Sequence, residues 1–182
     1  MSTSGPYVAL LRGINVGRAK RIAMADLRAL VERLGGGEVR TLLNSGNVVF
    51  TPPRGTAEEI GARIEQAIAA RLKVATRVTV LEGREVAEMV RKNPLAAVAS
   101  DPTRFLVLVP RTSRDLPRLK PLLKERWSPE VLALGRRVAY LWCAEGIRDS
   151  ALWRAVDKVL GEQGTARNLA TMTKLLEMVE GS

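Results

Sequence analysis

Guanidinium, ammonium and amide groups crowd one short stretch of this chain, interleaved with glycine. Arg12, Gly13, Asn15, Gly17, Arg18, Lys20 and Arg21 all fall between positions 12 and 21. A second polar cluster follows at Asn44, Ser45, Gly46 and Asn47, and a third at Arg167, Asn168, Thr171 and Lys174. The chemistry these residue types share is recognition of negative charge. Arg and Lys supply charge-assisted hydrogen bonds, and glycine lets backbone amides approach an anion. Asn and Ser add neutral donors and acceptors that orient a ligand. The expected occupant is a small molecule bearing phosphate or carboxylate.

Other chemistries lack their parts. The chain has no histidine and one cysteine, Cys143, so the commonest general base is missing and no cysteine cluster can hold a metal. Cys143 sits in an apolar run and reads as a small buried hydrophobe. No carboxylate pair stands out as an acid–base couple. Gly13-x-x-x-Gly17 is neither a phosphate loop of the Walker type nor a dinucleotide fingerprint, because no Gly-Lys-Ser/Thr follows and the glycine spacing differs. No metal or cofactor is therefore expected, and no reaction is specified. A binding or regulatory protein leads, followed by an enzyme acting on a phosphorylated small molecule.

A formal net charge of +10, from 29 Lys and Arg against 19 Asp and Glu, also attracts polyanions. Nucleic acid is nevertheless the weaker candidate: only 4% of residues are aromatic, and sheet-type RNA readout stacks bases on aromatics. Nothing specifies an oligomeric state. No apolar run approaches a membrane span and no signal segment opens the chain, so the expected location is the cytoplasm, with Met1–Pro6 a loose leader.

The clusters are set among elements with clear periodicity. Tyr7–Leu11 is a short apolar run, suited to a strand covered on both faces. Met24, Leu27, Leu30, Val31 and Leu34 recur at helical spacing. Val39–Leu43 and Val48–Phe50 are strands joined by the asparagine-rich turn, where Gly and Asn are expected to supply positive φ. Thr56 with Glu59 forms a capping box before a second helix, and Arg77–Leu81 is a fourth strand. This order, βαββαβ, is the ferredoxin-like α-β plait.

The second half attempts the same plan. A short helix over Arg84–Lys92 precedes a strand at Arg104–Val109. Ser113–Trp127 is helical in its leucine spacing, with Pro117 and Pro121 making its first half irregular. A hairpin over Val131–Cys143 turns at Gly135-Arg136. Two helices close the chain, the last starting at Thr165, with Arg167, Thr171 and Lys174 sharing one polar face. No fourth strand is evident. The expected fold is α+β, made of tandem ferredoxin-like halves with antiparallel sheets and a C-terminal helix. Residues 1–82 form the first plait, and 83–182 a second, incomplete one plus that helix.

Tyr7-Val8-Ala9-Leu10-Leu11-Arg12-Gly13-Ile14-Asn15-Val16-Gly17 resembles a bacterial family known as domain of unknown function sixteen ninety-seven. The likeness continues through Met24-Ala25-Asp26-Leu27-Arg28 and Asn44-Ser45-Gly46-Asn47-Val48-Val49-Phe50. It returns at Thr165-Ala166-Arg167-Asn168, Thr171 and Thr173-Lys174-Leu175-Leu176. The resemblance implies two α-β plaits and no activity. The chain departs from the family pattern in having Arg18 for a second glycine, Leu169 for an aromatic, and Ala151 for a lysine.

Topology then locates a site. In βαββαβ the first and second strands run the same way, and the third lies beside the first. The loop after strand one and the hairpin after strand two must meet at one end of the sheet. Ala75-Thr76-Arg77, entering strand four, should join them there.

Overall fold

The computed structural model describes residues 5–182; most of the segment read as a leader therefore lies outside the described residues. In chain order the elements begin with β1 (Tyr7–Leu11), α1 (Met24–Arg33), β2 (Gly37–Leu42), β3 (Asn47–Thr51), α2 (Ala57–Ala67) and β4 (Val78–Glu82). Next come α3 (Gly83–Arg91), β5 (Phe105–Pro110), a three-ten helix (Ser113–Lys124), β6 (Val131–Leu134), β7 (Ala139–Trp142), α4 (Ala151–Leu160), β8 (Gly164–Asn168) and α5 (Leu169–Glu180). They build two four-stranded antiparallel sheets, ordered β2-β3-β1-β4 and β6-β7-β5-β8. The two orders are the same plan used twice, so the chain is a tandem of ferredoxin-like plaits with a C-terminal helix.

Two compact units result. The first comprises the stretch up to Ala87 together with Leu175–Ser182, and the second Glu88–Lys174. In the first, β1 is buried along its whole length, as its apolar run requires. Its core combines Ala9, Leu11, Val48 and Phe50 with Leu27 and Leu30 of α1 and Ile60 and Ile64 of α2. The capping box forms as its spacing demands: the Thr56 amide donates to Glu59 Oε2 (2.8 Å) and the Glu59 amide to Thr56 Oγ1 (3.2 Å). The last turns of α5 also belong to this unit, with Arg40 of β2 donating to the Met178 carbonyl (2.9 Å).

The second unit corrects the sequence reading in three places. First, Gly164–Asn168 is a strand, pairing Val107 with Arg167 and Val109 with Thr165, so the second plait is complete and the last helix begins at Leu169, not Thr165. Second, the Ser113–Lys124 segment is three-ten throughout. Its buried residues are Leu116, Leu119 and Leu122, a spacing of three that matches three residues per turn, and its two prolines cannot donate in an α-helical ladder. Third, Leu134 pairs with Ala139 and the Gly135 amide donates to the Val138 carbonyl (2.7 Å), so the turn falls on Arg136-Arg137. Gly135 is needed there for room: a Cβ would lie 2.8 Å from Val138 Cγ1. The core gathers Leu106, Leu108, Leu119, Leu141, Leu152 and Val156, with Trp153 packed against it and Cys143 fully buried as expected.

Candidate functional site: the loop end of the first sheet

The first loop is anchored at both ends. As β1 leaves the sheet, the Leu11 amide donates to the Gly46 carbonyl and the Arg12 amide to the Arg77 carbonyl, both at 2.9 Å. Thr76 Oγ1 donates to the Arg12 carbonyl (2.7 Å). Three chain segments predicted to converge thus do so, at positions far apart in sequence. Ile14 is buried beneath the loop, and a Cβ on Gly46 would come within 2.8 Å of both Ile14 Cδ1 and Leu11 Cβ. Glycine at 46 therefore answers to space as well as to its φ of 85°.

Asn15 ties loop to hairpin. Its Nδ2 donates to the Ile22 carbonyl (2.8 Å) and to the Asn44 carbonyl (2.7 Å), while its Oδ1 accepts from the Ile22 amide (2.8 Å). Its own amide donates to the Lys20 carbonyl (3.0 Å). Both Nδ2 hydrogens and the Oδ1 of one short side chain are thus engaged in shaping the loop. Asn47, fully buried, behaves likewise: Nδ2 donates to the Leu42 carbonyl (2.8 Å) and to Ser45 Oγ (3.0 Å). Both asparagines are among the expected ligand-orienting groups, and in the fold both satisfy backbone and turn. The positive φ expected of the turn's asparagines falls on Leu43 (58°) alongside Gly46.

Between its anchors the loop is unusual in its backbone. Gly13 (φ 60°), Asn15 (55°), Gly17 (65°) and Lys20 (50°) all occupy the left-handed region, and open space surrounds the α-carbons of Gly13 and Gly17. Left-handed residues are a component of the backbone nests whose N–H groups bind anions. Gly13, Val16, Gly17 and Arg18 are exposed, and among the described residues no protein acceptor takes their amides. Arg18 and Lys20 are exposed on the same loop, and Arg21 Nη1 donates back to the Gly17 carbonyl (3.2 Å). Arg12 is half-buried at the loop's root, and Asn44 is exposed at the hairpin tip. At the neighbouring entrance to β4, Arg77 faces Glu65 (3.8 Å), whose Oε1 accepts the Val78 amide (2.7 Å).

The third expected cluster does not form one polar face. Arg167 and Asn168 lie on β8, and only Thr171 and Lys174 lie on α5. Asn168 Oδ1 accepts the Thr171 amide (2.8 Å), capping that helix. Thr171 is buried and Lys174 exposed. Arg167 Nη1 donates to the Ala166 carbonyl (2.9 Å), and burial draws its guanidinium down to about 10, where it still carries its charge at neutral pH. These residues belong to the second unit and the loop to the first.

Tyr140 is pushed up to about 12 by burial and by Glu88, its hydroxyl donating to the Met89 carbonyl (2.8 Å). Burial also raises the Cys143 thiol. Exposed Asp101 is held low by hydrogen bonds from Thr103. Among the described residues, no group of three or more carboxylates or thiols is placed to hold a metal ion, and no helix is long and apolar enough to cross a membrane.

Residues 5–140, which include the whole loop and hairpin, match the family described as a protein of unknown function, DUF1697. The chain belongs to the DUF1697 family. The match carries no activity with it. A conserved bacterial protein, SP0830 from Streptococcus pneumoniae, has the same fold: 25% identity and a TM-score of 0.78, covering 96% of this chain and 98% of that one. No curated protein matches the sequence. Tandem plaits are thus an architecture this DUF1697 chain shares with SP0830 over nearly its whole length.

Proposed function

We propose that this chain is a binding protein for a small anionic ligand, bearing phosphate or carboxylate, held on the loop between β1 and α1. The observation that carries the reading is the loop backbone itself. Gly13, Asn15, Gly17 and Lys20 are left-handed, and Gly13, Val16, Gly17 and Arg18 are exposed residues whose amides meet no protein acceptor among the described residues. A left-handed conformation at a residue other than glycine costs roughly 1–2 kcal/mol, and Lys20 is held in one beside groups that suit an anion. Arg18 and Lys20 provide charge, and the Asn15 clamp fixes the loop before any ligand arrives, which reduces the ordering cost of binding.

The test is calorimetric titration with inorganic phosphate, pyrophosphate, nucleotides and sugar phosphates. Replacing Arg18 and Lys20 together by Gln keeps length and removes charge. Each charge-assisted hydrogen bond contributes about 1.5–3 kcal/mol, so the pair should lose at least about tenfold in affinity. No binding of any of these anions to the unaltered chain would reject the reading.

A further inference from the structure

We infer that β6 is an open strand edge on which a second copy of this chain docks, the two β6 strands pairing antiparallel about a two-fold axis. An unpaired strand edge is a template for another strand, and proteins protect such edges with charge, bulges or capping side chains. Three of the four edges here carry that protection. On β2 the register shifts between Gly37 and Arg40, Glu38 is left-handed (φ 46°), and Glu38 and Arg40 bring charge. On β4 the outward amides of Val78 and Glu82 are taken by Glu65 Oε1 (2.7 Å) and Glu85 Oε2 (2.9 Å). On β8 the Ala166 carbonyl accepts Arg167 Nη1 (2.9 Å).

β6 carries none of these. It occupies in the second sheet the place β2 occupies in the first, yet Val131-Leu132-Ala133-Leu134 contains no charge, proline or register shift. The bond from the Gly135 amide to the Val138 carbonyl sets the alternation of the ladder. Residues 131, 133 and 135 then bond to β7, and Leu132 and Leu134 turn their N–H and C=O groups outward. Among the described residues no protein group takes those four. The four residues are half-buried, with the Leu132 and Leu134 side chains packed against the second core.

The edge is complementary to itself. With Ala133 opposite Ala133 of the second copy, Leu132 faces Leu134 of that copy and exchanges both backbone bonds with it; the two-fold axis repeats the pair, and every outward group is satisfied. The same register sets Glu130 against Arg136 of the second copy. Glu130 holds the α4 amino terminus through the Leu152 amide (2.9 Å), and among the described residues its other oxygen, Oε1, is buried without a hydrogen-bond partner. A guanidinium brought near that carboxylate offsets its unpaired charge. The leucines of both copies then join one apolar layer across the seam.

The interface is small, so the dimer is weak, with dissociation in the range of about 10 µM to 1 mM. Sedimentation of the full chain across that range should show mass rising toward twice the monomer. Ala133→Cys should cross-link under mild oxidation, because directly opposed, non-hydrogen-bonded residues bring Cβ atoms within about 4.5–5.5 Å. Val131→Cys, which faces residue 135 of the second copy, should not. Hydrogen exchange at the Leu132 and Leu134 amides should slow as concentration rises. A chain that stays monomeric to about 1 mM, cross-linking at Val131 as readily as at Ala133, or concentration-independent exchange at both leucines would each overturn the inference.

Discussion

Changing Asn15 to Asp alters one group and little else. Both residues tolerate the left-handed backbone and have the same shape, but Nδ2 becomes an oxygen. That oxygen meets the Ile22 and Asn44 carbonyls, the acceptors Nδ2 now serves at 2.8 and 2.7 Å. Two hydrogen bonds, each contributing a net of about 0.5–1.5 kcal/mol, are replaced by repulsion between acceptors. We expect a destabilisation of about 2–4 kcal/mol near pH 8, which for a chain of this size lowers the unfolding midpoint by about 4–16 °C. The sign of the pH dependence follows from the same geometry. Facing carbonyls raises the folded-state pKa of the new carboxyl above its unfolded value of about 3.9. The defect is therefore full above that raised value. It shrinks as pH falls through it, because the protonated carboxyl regains one donor. Thermal unfolding of both proteins from pH 8 to pH 4 is the assay. Coincident midpoints at pH 8, or a gap that widens on acidification, would show that Asn15 does not tie the loop to the hairpin.

Gly46→Ala meets both a positive φ and Cβ approaches of 2.8 Å, and should cost about 2–4 kcal/mol in denaturant titrations. Gly17→Ala, with the same backbone demand in open space, should cost only about 1 kcal/mol. Arg84→Ala, on an exposed residue paired with Glu82 (2.6 Å), should leave affinity for small anions unchanged where the Arg18/Lys20 double variant loses it. In ultraviolet titration Tyr140 should ionise near pH 12, later than a free tyrosine. Because its neutral form is favoured in the fold, its contribution is complete below about pH 10 and lost as pH rises toward 12. Tyr140→Phe should abolish that late step and cost about 1 kcal/mol for the bond to Met89.

The convergence of loop, hairpin and β4 entrance was legible because strand order follows from element order, and strand order fixes which connections share an end. The apolar run of β1, the stripe of α1 and the Thr56 capping box each express a local preference that the tertiary structure leaves intact. β8 was hidden for a physical reason. Gly164-Thr165-Ala166-Arg167-Asn168 has little β-forming tendency, and it becomes a strand by pairing with β5 rather than by its own composition. The leucine spacing of 113–124 fits a three-fold and a 3.6-fold helix over so short a span, and the prolines decide between them. The roles of Asn15 and Asn47 were out of reach for another reason. An amide side chain that could orient a ligand could equally satisfy a turn, and only the distances to Ile22, Asn44 and Leu42 choose. Leu43 shows the converse, an aliphatic residue taking the left-handed turn position while asparagine stands beside it.

The grouping of Leu175–Ser182 with the N-terminal plait has a consequence in time. During synthesis the ribosome completes the whole of Glu88–Lys174 before it makes the segment that finishes the first unit. A unit that ends with the chain's last turns cannot settle fully until translation of those turns, although its sheet has long been available. A Cβ on Gly83 would lie 2.6 Å from Val179 Cγ1, and Arg40 reaches the Met178 carbonyl, so the late segment seats in a place shaped to receive it. Trimming residues 175–182 should therefore loosen the half of the protein made first, and leave the half made second, which is nearer in sequence, the better folded of the two.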